Sequence, residues 1–159
     1  MFKSIETQMR NFLDGFYEVV PKRLISMFTD KELELLISGC PEIDVADLRN
    51  NTEYVNYVTT QQLIVWFWEC LSEMDQKHLA MFVQFVTGTS KVPLGGFVNL
   101  MGMRGPQKLN IHKCHGEDRL PTAHTCFNQL DLPVYSSKAQ LQRKMMQAIT
   151  EGNEGFGFV

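Results

Sequence analysis

An α+β fold, a small sheet packed with helices, is what this sequence predicts, and three observations carry the expectation. Apolar residues recur at helical spacing in several separate stretches, from Ile5 to Val20, Gln61 to Val86 and Ser137 to Gly152. Strand-like runs are confined to residues 108–113 and 127–132. A hydrophobic content of 44% in 159 residues is ample for a packed core.

Ile5, Met9, Phe12, Leu13, Phe16 and Val20 form a helical stripe closed by Pro21, so the first helix should have one buried face. Thr29-Asp30-Lys31-Glu32 has the form of a capping box. Leu33, Leu36 and Ile37 follow at helical spacing until Gly39 can supply a left-handed cap. Cys40-Pro41-Glu42-Ile43-Asp44 breaks the pattern. From Gln61 to Ser72 a wide stripe of Leu63, Ile64, Phe67, Trp68 and Leu71 marks another helix. Ser72 with Asp75 can cap its successor, which carries Leu79, Phe82, Val83 and Val86, making an αα-hairpin. Trp66 and Trp68, two apart, point to different faces, one to the core and the other to an interlobe or partner contact. Leu109 and Ile111 alternate with polar neighbours as in a half-buried strand, and Phe127 to Leu132 is a second apolar segment before Pro133. Ser137 and Gln140 cap a last helix whose Leu141, Met145, Ala148 and Ile149 face inward and which ends at Gly152.

The net charge is -3 and the basic residues form no stripe, which argues against a nucleic-acid partner. Glu6, Asp14 and Glu18 interrupt the first twenty residues, unlike a secretory signal, and no apolar run reaches membrane-spanning length. A cytoplasmic or nuclear protein with no membrane partner is the expectation. Cys40, Cys70, Cys114 and Cys126 are irregularly spaced in a chain with its own core, so reduced thiols are expected instead of a disulfide framework. His112, Cys114, His115, His124 and Cys126 invite a zinc reading. Their tight intervals, with one residue between His112 and Cys114 and one between His124 and Cys126, argue against it, so no metal is expected.

Cys126 stands apart from the other thiols. It lies in Leu-Pro-Thr-Ala-His-Thr-Cys-Phe-Asn-Gln-Leu-Asp-Leu-Pro (Leu120 to Pro133), flanked by His124, Thr125 and Asn128 where a packing thiol would have apolar neighbours. Polar flanks imply access and a tunable thiolate. This stretch resembles the catalytic loop of the HECT-type ubiquitin ligases. So do Phe85 to Pro93 with Gly95-Gly96-Phe97, the ending Glu154-Gly155-Phe156-Gly157-Phe158-Val159, and, upstream, Glu32 to Gly39 and Asn51 to Tyr54. Nearly the whole chain is covered, and the wording is most like the large-ligase branch that includes the plant UPL and yeast TOM groups.

The resemblance implies residues 1–39 as the helical end of the family's N-terminal lobe, 40–45 as an interlobe hinge and 46–159 as the C-terminal lobe, a HECT C-lobe-like small sheet packed with helices after two helices left over from the N-terminal lobe. It implies that Cys126 accepts ubiquitin from a conjugating enzyme as a thioester, which the lysine of a protein substrate then attacks, with no cofactor. The surface that recruits the conjugating enzyme is expected mostly outside this chain. His124 is a candidate for stabilising thiolate or moving a proton. Thr125 and Asn128 either orient the thioester carbonyl or settle the turn backbone. Phe127 and Asn128 are candidates for positioning ubiquitin, and Phe156 either helps dock the tail or is a simple tether. Two alternatives remain open: a non-catalytic ubiquitin-binding module, and a cysteine hydrolase that takes its histidine from elsewhere. An uncovered stripe on residues 1–39 would also favour self-association.

Overall fold

Proline has no amide hydrogen to continue a helical ladder, and the first helix, α1 (Glu6–Val19), stops just ahead of Pro21 in the computed structural model of the protein, which describes residues 5–116 and 118–154. A single turn, α2 (Lys22–Ile25), follows, and then α3 (Asp30–Ser38). The capping box in front of α3 is reciprocal. The Thr29 amide donates to Glu32 Oε2 at 2.7 Å while the Glu32 amide donates to Thr29 Oγ1 at 3.3 Å. Gly39 takes the left-handed conformation, φ 78°, and a side chain there would strike the Val92 carbonyl.

The chain divides into two compact units, Met1–Ile37 and Ser38–Val159. In the first, the buried face expected of α1 is not formed: α1 holds no buried residue, and Ile5, Met9 and Phe12 are 52%, 54% and 65% exposed. So few residues cannot enclose a core of their own.

The second unit starts with the stretch read as a hinge, and its residues are tied in. Cys40 and Val92 exchange backbone hydrogen bonds at 2.8 and 2.9 Å. Ile43 is buried, its amide and carbonyl both bonded to the Gln76 carboxamide. Asp44 caps α4 (Val45–Asn50), which leads into β1 (Thr52–Val55). The helical hairpin is α5 (Gln62–Ser72) and α6 (Gln76–Thr87), with the expected residues of both stripes buried. Only Asp75 caps α6, accepting from the His78 amide at 2.8 Å; the Ser72 hydroxyl instead donates to the Trp68 carbonyl inside α5. Trp68 is buried with its indole N–H on the Tyr54 hydroxyl at 2.8 Å, and Trp66 packs half-buried against the same core.

After a 3-10 turn at Phe97–Asn99 comes a short antiparallel hairpin, β2 (Met101–Gly102) and β3 (Gly105–Pro106). The main sheet is completed by β4 (Leu109–Cys114), β5 (Thr122–His124) and β6 (Gln129–Pro133), in the order β1-β4-β6-β5. β4 runs parallel to both β1 and β6, and β5 is antiparallel to β6. Because paired positions share a face, Leu109, Ile111, Leu130 and Leu132 form one buried side, joined in the core by Phe67, Phe82 and Leu141. Asn110, His112, Thr122, His124, Gln129 and Asp131 form the other side, and all are at least partly exposed.

The last helix, α7 (Lys138–Glu154), is capped by Ser137, whose Oγ accepts from the Gln140 amide at 3.2 Å. It does not end at Gly152. A Cβ at that position would come within 2.6 Å of the Phe85 ring, so this glycine permits close helix packing and does not stop the helix.

Candidate functional site

Cys126 lies at the tip of the β5–β6 hairpin, in a 3-10 turn formed by Thr125–Phe127. The hairpin register, His124 opposite Gln129, leaves four residues to reverse the chain. Reversal requires a positive φ, and Asn128 supplies it at φ 48°, ψ 40°, a conformation asparagine tolerates better than most residues.

Every backbone carbonyl of this turn is held. The Thr125 carbonyl accepts from the Asn128 amide at 3.2 Å, that of Cys126 from the Met103 amide at 2.8 Å, and that of Asn128 from the Asn110 amide at 2.9 Å. The Phe127 carbonyl accepts from the Asn110 side-chain amide at 2.8 Å. The Asn128 side chain, wholly buried, donates to the Met101 and Gln107 carbonyls at 3.1 and 2.8 Å, tying the turn to the β2–β3 hairpin. Its Oδ1 is buried without a hydrogen-bond partner.

On this rigid turn the Cys126 thiol is exposed, whereas Cys70 is buried and Cys40 and Cys114 are half-buried; all four are free. Burial pushes the Cys70 and Cys114 thiols up, disfavouring their thiolates, and near Cys114 the Asp131 carboxylate adds to the effect. Among the described residues, no group of three or more His, Cys, Asp or Glu side chains is arranged to hold a metal ion.

The residues singled out from the sequence meet at this hairpin in different roles. His124 is 54% exposed at its side chain, and its Nε2 lies 3.1 Å from Asp131 Oδ2, within hydrogen-bond distance. A Cβ placed on Gly88, the left-handed cap of α6, would meet the Thr125 side chain at ordinary contact distance. Phe127 belongs to the turn, not to a strand, and is 42% exposed. Asn128 uses its amide inside the protein, which is the turn-settling role of the two foreseen for it. Phe156 lies outside the described residues. Sequence reasoning missed Asn110 and Asp131. Strand register brings Asn110 to the turn and Asp131 to His124, and register is not written in a local motif.

The family model described as HECT-domain (ubiquitin-transferase) matches residues 1–159. The E3 ubiquitin-protein ligase UPL1 of Arabidopsis thaliana is 58% identical over 156 residues, 98% of this chain and 4% of UPL1. The E3 ubiquitin-protein ligase HUWE1 of Mus musculus is 57% identical over 158 residues, covering 99% of this chain and 4% of its own length. For the E3 ubiquitin-protein ligase TOM1 of Saccharomyces cerevisiae the identity is 52% over 155 residues, 97% of this chain and 5% of TOM1. An exposed thiol on a stiff hairpin turn and a match over the full length agree: the chain belongs to the HECT-domain family. It spans only 4 to 5% of the length of these relatives.

Proposed function

We propose that this chain is the cysteine-bearing part of a ubiquitin ligase, in which Cys126 takes ubiquitin from a conjugating enzyme as a thioester and passes it to a lysine of a protein substrate. The observation that carries this reading is the exposed Cys126 thiol on a turn whose four carbonyls are all hydrogen-bonded. In loading, Cys126 Sγ attacks the carbonyl carbon of the incoming thioester; a new C–S bond forms, the old one breaks, and the departing thiolate takes up the proton. Exchange between thioesters is nearly isoenergetic, so access and placement count for more than strong activation of the thiol. In transfer, the lysine nitrogen displaces Sγ to give an isopeptide bond. A turn that does not have to be ordered at the moment of attack keeps the thioester near its reactive geometry. The reaction so written uses no cofactor.

Single-turnover discharge tests the reading. Ubiquitin supplied as the thioester of a small thiol should load the chain, and free lysine should then remove it as a lysine conjugate faster than water does. Release as free ubiquitin, unaffected by lysine, would make the protein a hydrolase, and binding without any adduct would make it a non-catalytic module.

A further inference from the structure

The outward face of the sheet carries a chain of three polar side chains that leads to the nucleophile turn. Gln129 Nε2 donates to Asp131 Oδ1 at 2.6 Å, and Asp131 Oδ2 lies 3.1 Å from His124 Nε2, within hydrogen-bond distance. Asp131 and His124 are diagonal neighbours across the β5–β6 ladder, where such side chains can reach one another. The carboxylate is the more enclosed partner, 22% exposed at its side chain against 54% for the imidazole. Both carboxylate oxygens are thus engaged, and the Gln129 bond orients the group independently of the ring.

We propose, resting on the ligase reading above, that Asp131 is a positioning residue that sets the tautomer of His124 for the transfer of ubiquitin to lysine. An ionised carboxylate can only accept a hydrogen bond, so the proton of the neutral ring is on Nε2 and the lone pair is on Nδ1. His124 is two residues from Cys126, so their backbones are at most about 7 Å apart, and the role requires Nδ1 to reach a group bound at Sγ. When lysine attacks, its nitrogen bonds to the thioester carbonyl carbon and the C–S bond breaks with its electron pair going to Sγ. The proton lost by the nitrogen goes to Nδ1 and from there to Sγ or solvent, which returns the ring to its starting state. The loading step has no amine to deprotonate and depends less on the ring.

The variant Asp131→Asn offers an amide N–H to Nε2 and so turns the ring to its other tautomer, with the proton on Nδ1. Two readouts on the whole chain test the proposal. Imidazole 15N shifts of His124, recorded without ubiquitin, should show the Nε2–H tautomer in the native protein and the Nδ1–H tautomer in Asp131→Asn. With the chain charged from ubiquitin thioester of a small thiol, Asp131→Asn should slow discharge to free lysine by about 10-fold or more, within the range of general-base effects, and change loading much less. In a His124→Gln background the same substitution should add almost nothing, since it acts only through the ring. A native ring protonated on Nδ1 overturns the proposal, as does equal slowing by Asp131→Asn with and without His124. A native chain that takes no ubiquitin would sink the ligase reading, and the tautomer would still decide whether Asp131 sets the ring.

Discussion

Asn128 joins two demands: a left-handed backbone and two side-chain hydrogen bonds that fasten the nucleophile turn to the β2–β3 hairpin. Asn128→Ala loses both bonds, each worth about 1 kcal/mol net, and adds the strain of a left-handed alanine, about 1 to 2 kcal/mol. Asn128→Gly loses the bonds but not the conformation. The glycine variant should therefore melt above the alanine variant by chemical denaturation, and equal midpoints would show that φ carries no cost there. Cys126→Ala should leave the fold almost untouched, with a change of about 1 kcal/mol or less, because the thiol is exposed and fills no core space. Cys126 was legible in the sequence because its neighbours are polar. The contribution of Asn110 was not, since its amide reaches Phe127 only through the pairing of β4 with β6.

At the scale of elements, legibility followed periodicity. The long stripes of α5, α6 and α7 are plain in the sequence, and apart from Cys70 the buried residues of those helices are the ones the spacing selects. β1, β2, β3 and β5 are not legible as strands in the sequence. They have two to four residues each, too short to show alternation, and tertiary pairing makes them strands. Gly152 misled because a glycine near a helix end signals a cap, while here the Phe85 ring demands an absent side chain. Gly152→Ala should consequently lower the melting temperature despite the better helix propensity of alanine, since overpacking outweighs it. The caps also predict a pH response. The Thr29 amide and hydroxyl hold the Glu32 carboxyl below its usual value, and the His78 amide does the same for Asp75. Carboxyls lowered on folding add stability above their unfolded pKa and lose it as pH falls through the folded value. Amide protection factors in the first turns of α3 and α6 should therefore fall in acid before the core opens, and Glu32→Gln should remove that response in α3. Protection that stays unchanged after both carboxyls have been protonated in the folded protein would contradict the role of the caps.

For the molecule as a whole, every buried apolar residue among those described lies between Ile43 and Ile149. The second unit should thus keep its fold when residues 1–37 are removed. The first unit has the opposite character: Met9, Phe12, Val19 and Ile37 are all more than half exposed. Covering such side chains is worth roughly 1.5 to 3 kcal/mol each, so the full chain is expected to self-associate through them. Light scattering over a concentration series should show a rising mass for residues 1–159 and a constant one after residues 1–37 are deleted; a strict monomer at high concentration in both would contradict this. The central claim, that Cys126 carries ubiquitin, is tested most directly by incubating the folded chain with ubiquitin thioester of a small thiol and locating the product by mass spectrometry. The account predicts one ubiquitin on Cys126, released by reducing agent and absent in Cys126→Ala. A folded chain that forms no adduct, or a reducible adduct that persists in Cys126→Ala, would contradict it.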